Sequence, residues 1–137
     1  MSSAREDRGA SAVELVLLTP LLILLALLTV ATGRLVAARL EVNNAAHQAA
    51  RAASIARTPA SAAAAARSAA EAALKGRRVT CVGRSVNVEL GSFRPGGKVT
   101  VAVTCRVRLA DVAMVCVPGG TALTSRFVVP IDYWRSR

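Results

Sequence analysis

The chain has few of the side chains from which most catalytic and metal sites are built. Its 137 residues include one histidine, His47, and aromatic side chains make up only 3%. The eight acidic residues are scattered, apart from the adjacent Glu6 and Asp7. Paired carboxylates, metal-ligand spacings and glycine-rich phosphate loops are missing. The sequence therefore predicts no enzyme, no metal and no cofactor, and it places His47 at the solvent edge of a helix.

Three cysteines are too few for a disulfide-dense mini-protein, and 53% hydrophobic residues are too many for a disordered chain. A formal charge of +10 is compatible with nucleic-acid binding. Aromatic residues for base stacking are few, however, and the arginines form no dense run. Nucleic acid is therefore not expected as the primary partner.

A long run without charge is the main feature of the composition. No charged side chain occurs from Leu15 to Gly33. A helix of these 19 residues spans about 28 Å, which is close to the hydrocarbon thickness of a bilayer. We expect one transmembrane helix, disturbed over one turn at Pro20.

A cleavable secretory signal is the alternative for this segment, with residues 31–33 as the small-residue cleavage site. Its apolar region would be long for a signal, and the residues before it are not clearly basic, because Arg5 and Arg8 are balanced by acids. The distribution of charge does not predict the orientation of the span in the membrane, because Arg34 and Arg39 follow it as closely as Arg5 and Arg8 precede it.

Glu14 stands immediately before the apolar run, between Val13 and Leu15. A carboxylate at such a position usually has a functional partner. The alternative is that Glu14 lies at the membrane interface and caps the helix.

The residues around Glu14 form the most specific pattern. The segment Arg8-Gly9-Ala10-Ser11-Ala12-Val13-Glu14 resembles the class III leader of type IV pilins. In detail it is similar to the TadE-like minor pilins of the tight-adherence (Flp) system, which share its Arg-Gly-x-x-Ala-Val-Glu start and the proline inside the apolar run. Two further matches follow, at Gly33-Arg34 and at residues 44–51, which resemble the family's Asn-x-Ala-x-x-Ala-Ala-Arg.

This resemblance implies a minor pilin or pseudopilin that a prepilin peptidase cuts between Gly9 and Ala10, so that Glu14 becomes the fifth residue. The apolar helix would lie in membrane lipid before assembly and against other pilin subunits afterwards. An inner-membrane assembly platform is a further implied partner. The alternative is a single-pass membrane subunit of a secretion or envelope complex that is never cleaved.

The helical pattern continues beyond the span through residues 34–57, giving a predicted rod of about 45 residues. Its apolar face is expected to contain both large and small residues: Leu35, Val36, Leu40, Val42, Ala46, Ala49, Ala50 and Ala53. Thr58 and Pro59 then predict the start of a second, alanine-rich helix that ends near Lys75, before Gly76. A flexible alanine-rich linker is the alternative.

After Gly76 the hydrophobic period changes to two, which indicates strands. Alternation is clearest from Val99 to Leu109 and around Val86, with a turn at residues 91–96 and a third strand over residues 121–131. In this third strand Leu123, Phe127, Val129 and Ile131 are predicted to face inward. The predicted fold is α+β: a long N-terminal transmembrane or pilin-like helix, a short alanine-rich helix and a small antiparallel sheet of about three strands.

Strand register leads to a disulfide prediction. With Val88 opposite Val99 and a one-residue bulge at Gly83, Cys81 lies opposite Cys105. A bridge between these cysteines would persist only in an oxidising space, which favours an extracytoplasmic C-terminal region. Reduced cysteines in a small core are the alternative.

The third cysteine, Cys116, falls in an irregular segment between Asp111 and Gly120. We predict an unpaired thiol there, buried or available for an intermolecular link. The expected division of the chain has five parts: a leader (1–9), the membrane or assembly helix (10–33), its soluble continuation (34–57), the second helix (58–76) and the sheet region (77–137).

Overall fold

The computed structural model describes residues 3–75, 81–113 and 118–132. It confirms the predicted α+β class: a long apolar helix, a short second helix and a small antiparallel sheet. The elements in chain order are α1 (Ser3–Ile55), α2 (Pro59–Leu74), β1 (Cys81–Glu89), β2 (Lys98–Arg108), α3 (Leu109–Ala113) and β3 (Gly120–Pro130). The five-residue α3 was not predicted, because its segment was expected to be irregular.

Helix α1 has 53 residues and is therefore about 80 Å long. It is longer than predicted because it already begins at Ser3. Its first half contacts little else, whereas its second half packs against α2 and the sheet. From Val13 onward, the first buried residue of α1 is Ala38.

Small residues build the interface between α1 and α2. The buried side chains of α1 are Ala38, Val42, Ala45, Ala46, Ala49, Ala50 and Ala53. Three larger residues predicted on this face are instead exposed, namely Leu35, Val36 and Leu40. They either precede the part of α1 that the other elements cover or lie on a different side of the helix from the buried alanines. Alanine faces let two helix backbones approach closely, but each buried carbon contributes only about 0.8 kcal/mol.

Helix α2 begins as predicted. Thr58 is its N-cap: the Ser61 N–H donates to the Thr58 Oγ1 and the Thr58 N–H donates to the Ser61 Oγ, each over 3.1 Å. Pro59 at the first turn needs no N–H partner. Ala62, Ala66 and Ala70 recur every four residues and are fully buried. The flexible-linker alternative is therefore wrong, since this segment is a capped, packed helix.

Close alanine packing gives a first testable prediction. Ala66→Leu adds three carbons at a position with 0% exposure, and we expect it to destabilise the protein by about 2 kcal/mol because the backbones must separate. Ala64→Leu is the matched control, since Ala64 lies on the exposed side of the same helix. Thermal unfolding of the full chain in detergent measures both. Equal melting temperatures for the two variants would contradict the tight interface.

The sheet has the order β1-β2-β3 and is antiparallel throughout. In the central strand β2, the predicted alternation is confirmed, with Val99, Val101, Val103, Cys105 and Val107 buried. The inward residues of β3 are also as predicted, with Leu123 and Ile131 buried and Phe127 and Val129 packed against the core. One face of the sheet therefore covers the alanine-lined part of α1.

The predicted register between β1 and β2 is wrong by two residues. Val88 pairs with Val101 instead of Val99, which keeps every side chain on its predicted face. The loop between β1 and β2 is longer than predicted, because its last two residues pair with Ile131, which directly follows β3. The Gly96 N–H donates to the Ile131 carbonyl, and the Ile131 N–H donates to the Gly97 carbonyl. Gly97 also lies so close to the Ser92 carbonyl oxygen that a side chain would collide with it.

The structure joins Cys81 and Cys105 in a disulfide, with their Cα atoms 5.4 Å apart. The register shift of the predicted bulge occurs between Cys81 and Gly83. Cys81 lies opposite Val107 and reaches Cys105 diagonally on the same face. Cys116 lies outside the described residues.

Candidate functional site

Residues 13–30 of α1 are apolar, apart from Glu14 and two threonines, and are exposed on all sides of the helix. Among the described residues, α1 alone is long and apolar enough to cross a membrane. From Val13 to Val30 its exposed large side chains are Val13, Leu15, Val16, Leu17, Leu18, Leu21, Leu22, Ile23, Leu24, Leu25, Leu27, Leu28 and Val30. A surface of this size and kind needs lipid or other apolar helices around it.

The threonine hydroxyls within and just after this segment already donate to carbonyl oxygens of the helix itself. The Thr19 hydroxyl donates to the Leu15 carbonyl over 2.7 Å, and the Thr29 hydroxyl donates to the Leu25 carbonyl over 2.8 Å. The Thr32 hydroxyl donates to the carbonyls of the preceding turn in the same way. These hydroxyls can therefore enter an apolar environment without losing a hydrogen bond.

The helix continues through Pro20 without a break. Because proline has no N–H, the Val16 carbonyl loses its usual donor, so the disturbance is confined to one turn. Gly33 also lies within α1, and a Cβ placed on it would meet nothing within 4 Å. Packing inside the chain therefore does not require glycine at position 33.

Glu14 is exposed at the beginning of the apolar surface. Within the part of the chain that the structure describes, its carboxylate has no hydrogen bond or ion pair. Gly9 and Ala10 lie in the same helix. Ala10 precedes Glu14 by four residues, which places the two on one side of the helix about 6 Å apart along the axis. Positions 10 and 14 are therefore about one helical turn apart.

Three contacts between distant parts of the sequence connect α1 with α3 and β3. The Arg34 guanidinium donates to the Asp111 carbonyl of α3 over 3.4 Å. The Ser125 hydroxyl donates to the Asn43 Oδ1 over 2.8 Å. The exposed His47 ring packs edge-on against Phe127, with 4.5 Å between ring centres. No sequence signal predicted these pairs, because their partners are separated by about eighty residues.

Glu41 is a second acidic residue that sequence reasoning missed. Its Oε2 atom is buried and accepts no hydrogen bond. Among the described residues this oxygen has no donor, and a buried acceptor without a donor costs about 1–3 kcal/mol. No group of three His, Cys, Asp or Glu side chains in the described residues could hold a metal ion.

Comparison with known proteins supports the N-terminal resemblance. Residues 9–51 match the family model described as TadE-like protein, so the predicted similarity to this family is confirmed over that segment. The TadE-like family is associated with the Tad pilus and is in general non-enzymatic, and the TadE-like segment together with the apolar helix suggests a membrane protein associated with that pilus. No curated protein and no solved structure matches the chain.

Proposed function

We propose, from the TadE-like character of residues 9–51, that the protein is a minor pilin or pseudopilin of a tight-adherence type IV pilus system. Its N-terminal helix anchors it in the bacterial cell membrane. Cleavage between Gly9 and Ala10 releases the leader, and the mature chain contributes to pilus assembly or adhesion. Its partners are a prepilin peptidase, other pilin or pseudopilin subunits and an inner-membrane assembly platform.

The division of α1 into two halves carries this proposal. In the N-terminal half, residues 13–30 are exposed and, apart from Glu14 and two threonines, apolar, whereas the other half carries the folded domain. The exposed half can exchange lipid for neighbouring helices without unfolding anything, because it supports no other contact. Its hydroxyl groups are satisfied in both environments, which leaves Glu14 as the group whose partner changes on assembly.

The disulfide supports an extracytoplasmic C-terminal region. A bridge such as Cys81–Cys105 forms and persists in an oxidising compartment and is rare in the bacterial cytosol. Since α1 crosses the membrane once in this proposal, the leader lies on the cytoplasmic side. The mature protein is then positioned for incorporation into a surface pilus.

The residue at which the mature chain begins tests the proposal. We expect the chain isolated from its native membrane to begin at Ala10, as determined by intact-mass and N-terminal peptide analysis. A start near Leu35 would indicate a secretory signal and overturn the pilin assignment. An intact leader would instead favour the second candidate, an uncleaved single-pass subunit of an envelope complex.

Two glycine-to-alanine substitutions provide the test variant and its matched control for this experiment. Gly9→Ala is expected to leave the leader on nearly all molecules, because it changes the residue at the cut and stabilises the local helix by about 1 kcal/mol. Gly33→Ala makes the same chemical change where a Cβ meets nothing within 4 Å, and it should be processed like the parent. Unchanged cleavage of Gly9→Ala would place the cut elsewhere.

A further inference from the structure

The sheet lies along α1 with one end directed toward the apolar segment. Ser125 of β3 contacts Asn43 of α1. Two residues further along β3, Phe127 contacts His47, which lies four residues further along α1. Two strand residues and four helix residues both advance about 6–7 Å, so β3 and α1 run in the same direction. The beginning of β3 is therefore the end nearest the apolar segment. The contact between Arg34 and Asp111 confirms this arrangement.

Basic side chains collect at this end. Arg34 and Arg39 follow the apolar run within about 9 Å along the helix axis. Arg108 pairs with Gly120 at the beginning of β3, and Arg106 precedes it on the exposed face of β2. The nearby acidic residues are fewer, namely Asp111 and the half-buried Glu41. The headgroup layer of a bilayer is about 5–8 Å thick on each side, so Arg34 lies within it when α1 spans the membrane, and the side chain of Arg39 is long enough to reach it.

A cleft of about 490 Å³ opens between α1 and β3, beginning at the level of Arg39. Arg39, Leu40 and Asn43 line it on the helix side, and residues 122–125 line it on the strand side. The Asn43 Oδ1 already accepts from Ser125, so the Asn43 amide has its N–H groups left to donate. Within the described residues β3 is an edge strand, and the backbone N–H groups on its open side are further donors.

The combination is suited to an anionic headgroup above acyl chains. Arg39 supplies the positive charge, and the amide and the open strand edge supply neutral donors. Leu40, which is 63% exposed, also lines the cleft on the helix side. We propose that this cleft binds the headgroup of an anionic phospholipid from the leaflet in which the apolar segment ends. The proposal rests on the membrane insertion of α1 and not on leader cleavage or pilus assembly.

Native mass spectrometry of the full chain released from detergent micelles tests this site, with phosphatidylglycerol and phosphatidylcholine of equal chain length as probes. We expect Arg39→Gln to weaken phosphatidylglycerol binding about five- to tenfold, as loss of one charge-assisted contact implies. Arg51→Gln is the matched control, because Arg51 is exposed on the same helix about 18 Å farther from the cleft level. Its affinity should equal that of the parent.

Three results would overturn the lipid site: equal affinities of the Arg39→Gln and Arg51→Gln variants, equal binding of both lipids, or complete displacement of phosphatidylglycerol by millimolar inorganic phosphate. The last would indicate a general anion site. Circular dichroism of both variants excludes misfolding as a cause. A retained leader together with selective lipid binding would contradict only the pilin proposal, whereas a cleaved leader without lipid selectivity would contradict only the lipid site.

Discussion

Replacing Glu14 with alanine is expected to leave the protein in the membrane and to reduce its incorporation into filaments more than tenfold. Membrane insertion depends on the apolar surface from Leu15 onward, which the substitution does not touch. Incorporation depends in our proposal on a charge pair between Glu14 and the α-amino group at Ala10. The measurement is the fraction of subunit in sheared filaments relative to the membrane fraction, by quantitative immunoblot.

The expected size of this effect follows from the cost of burying a charge without its partner. In a packed bundle of apolar helices, the α-amino group formed at Ala10 would be desolvated whether or not Glu14 were present. Breaking a buried pair by removing one member typically costs about 3–5 kcal/mol, which corresponds to more than a hundredfold in an equilibrium, so a tenfold loss of incorporation is the lower bound of the expected effect. A pair of this kind also favours one docking register, because any other leaves two charges unpaired.

Two further variants make the Glu14 experiment specific. Glu14→Gln keeps the shape and hydrogen-bonding ability of the side chain without its charge, and it should be nearly as defective as Glu14→Ala. Glu71→Ala removes an exposed carboxylate of α2 and should assemble like the parent. Normal assembly and localisation of Glu14→Ala would show that Glu14 only caps the helix at the interface.

The features that could be predicted from sequence are those governed by neighbouring residues. The alternation of Val99, Val101 and Val103 with polar residues determines which face of β2 is buried. The capping pair of Thr58 with Ser61 begins α2 at the predicted residue. The uncharged run determines where α1 is exposed.

The features that could not be predicted depend on contacts across the sequence. The loop of the hairpin between β1 and β2 is longer than expected because Gly96 and Gly97 pair with Ile131. The alternating patterns of β1 and β2 alone contain no information about Ile131. Leu40 fits a helical apolar pattern, yet it is exposed because alanines occupy the contact with α2. The cleft beside Arg39 exists only because Asn43 and Ser125 bring α1 and β3 together.

Removing the disulfide is expected to lower the stability of the folded domain by about 3 kcal/mol. The bridge closes a loop of 24 residues between Cys81 and Cys105, and chain entropy gives a stabilisation of this size for such a loop. It also fastens β1, an edge strand that covers little of the core, to the central strand. The Cys81→Ser/Cys105→Ser double variant should therefore melt more than 10 °C below the parent, measured by circular dichroism in detergent.

Treatment with reductant and counting of free thiols distinguish the stabilising effect of the disulfide from the effect of altered side-chain packing in the double variant. Dithiothreitol should lower the melting temperature of the parent and leave that of the double variant unchanged, since only the parent has a bridge to reduce. Thiol titration after denaturation should find one free thiol in the parent and none in Cys116→Ser, as predicted for an unpaired Cys116. If reductant left the parent's melting temperature unchanged, the bridge would not stabilise the domain. Because the bridge requires an oxidising compartment, the same thiol count on protein from intact cells also reports the side of the membrane on which the domain folds.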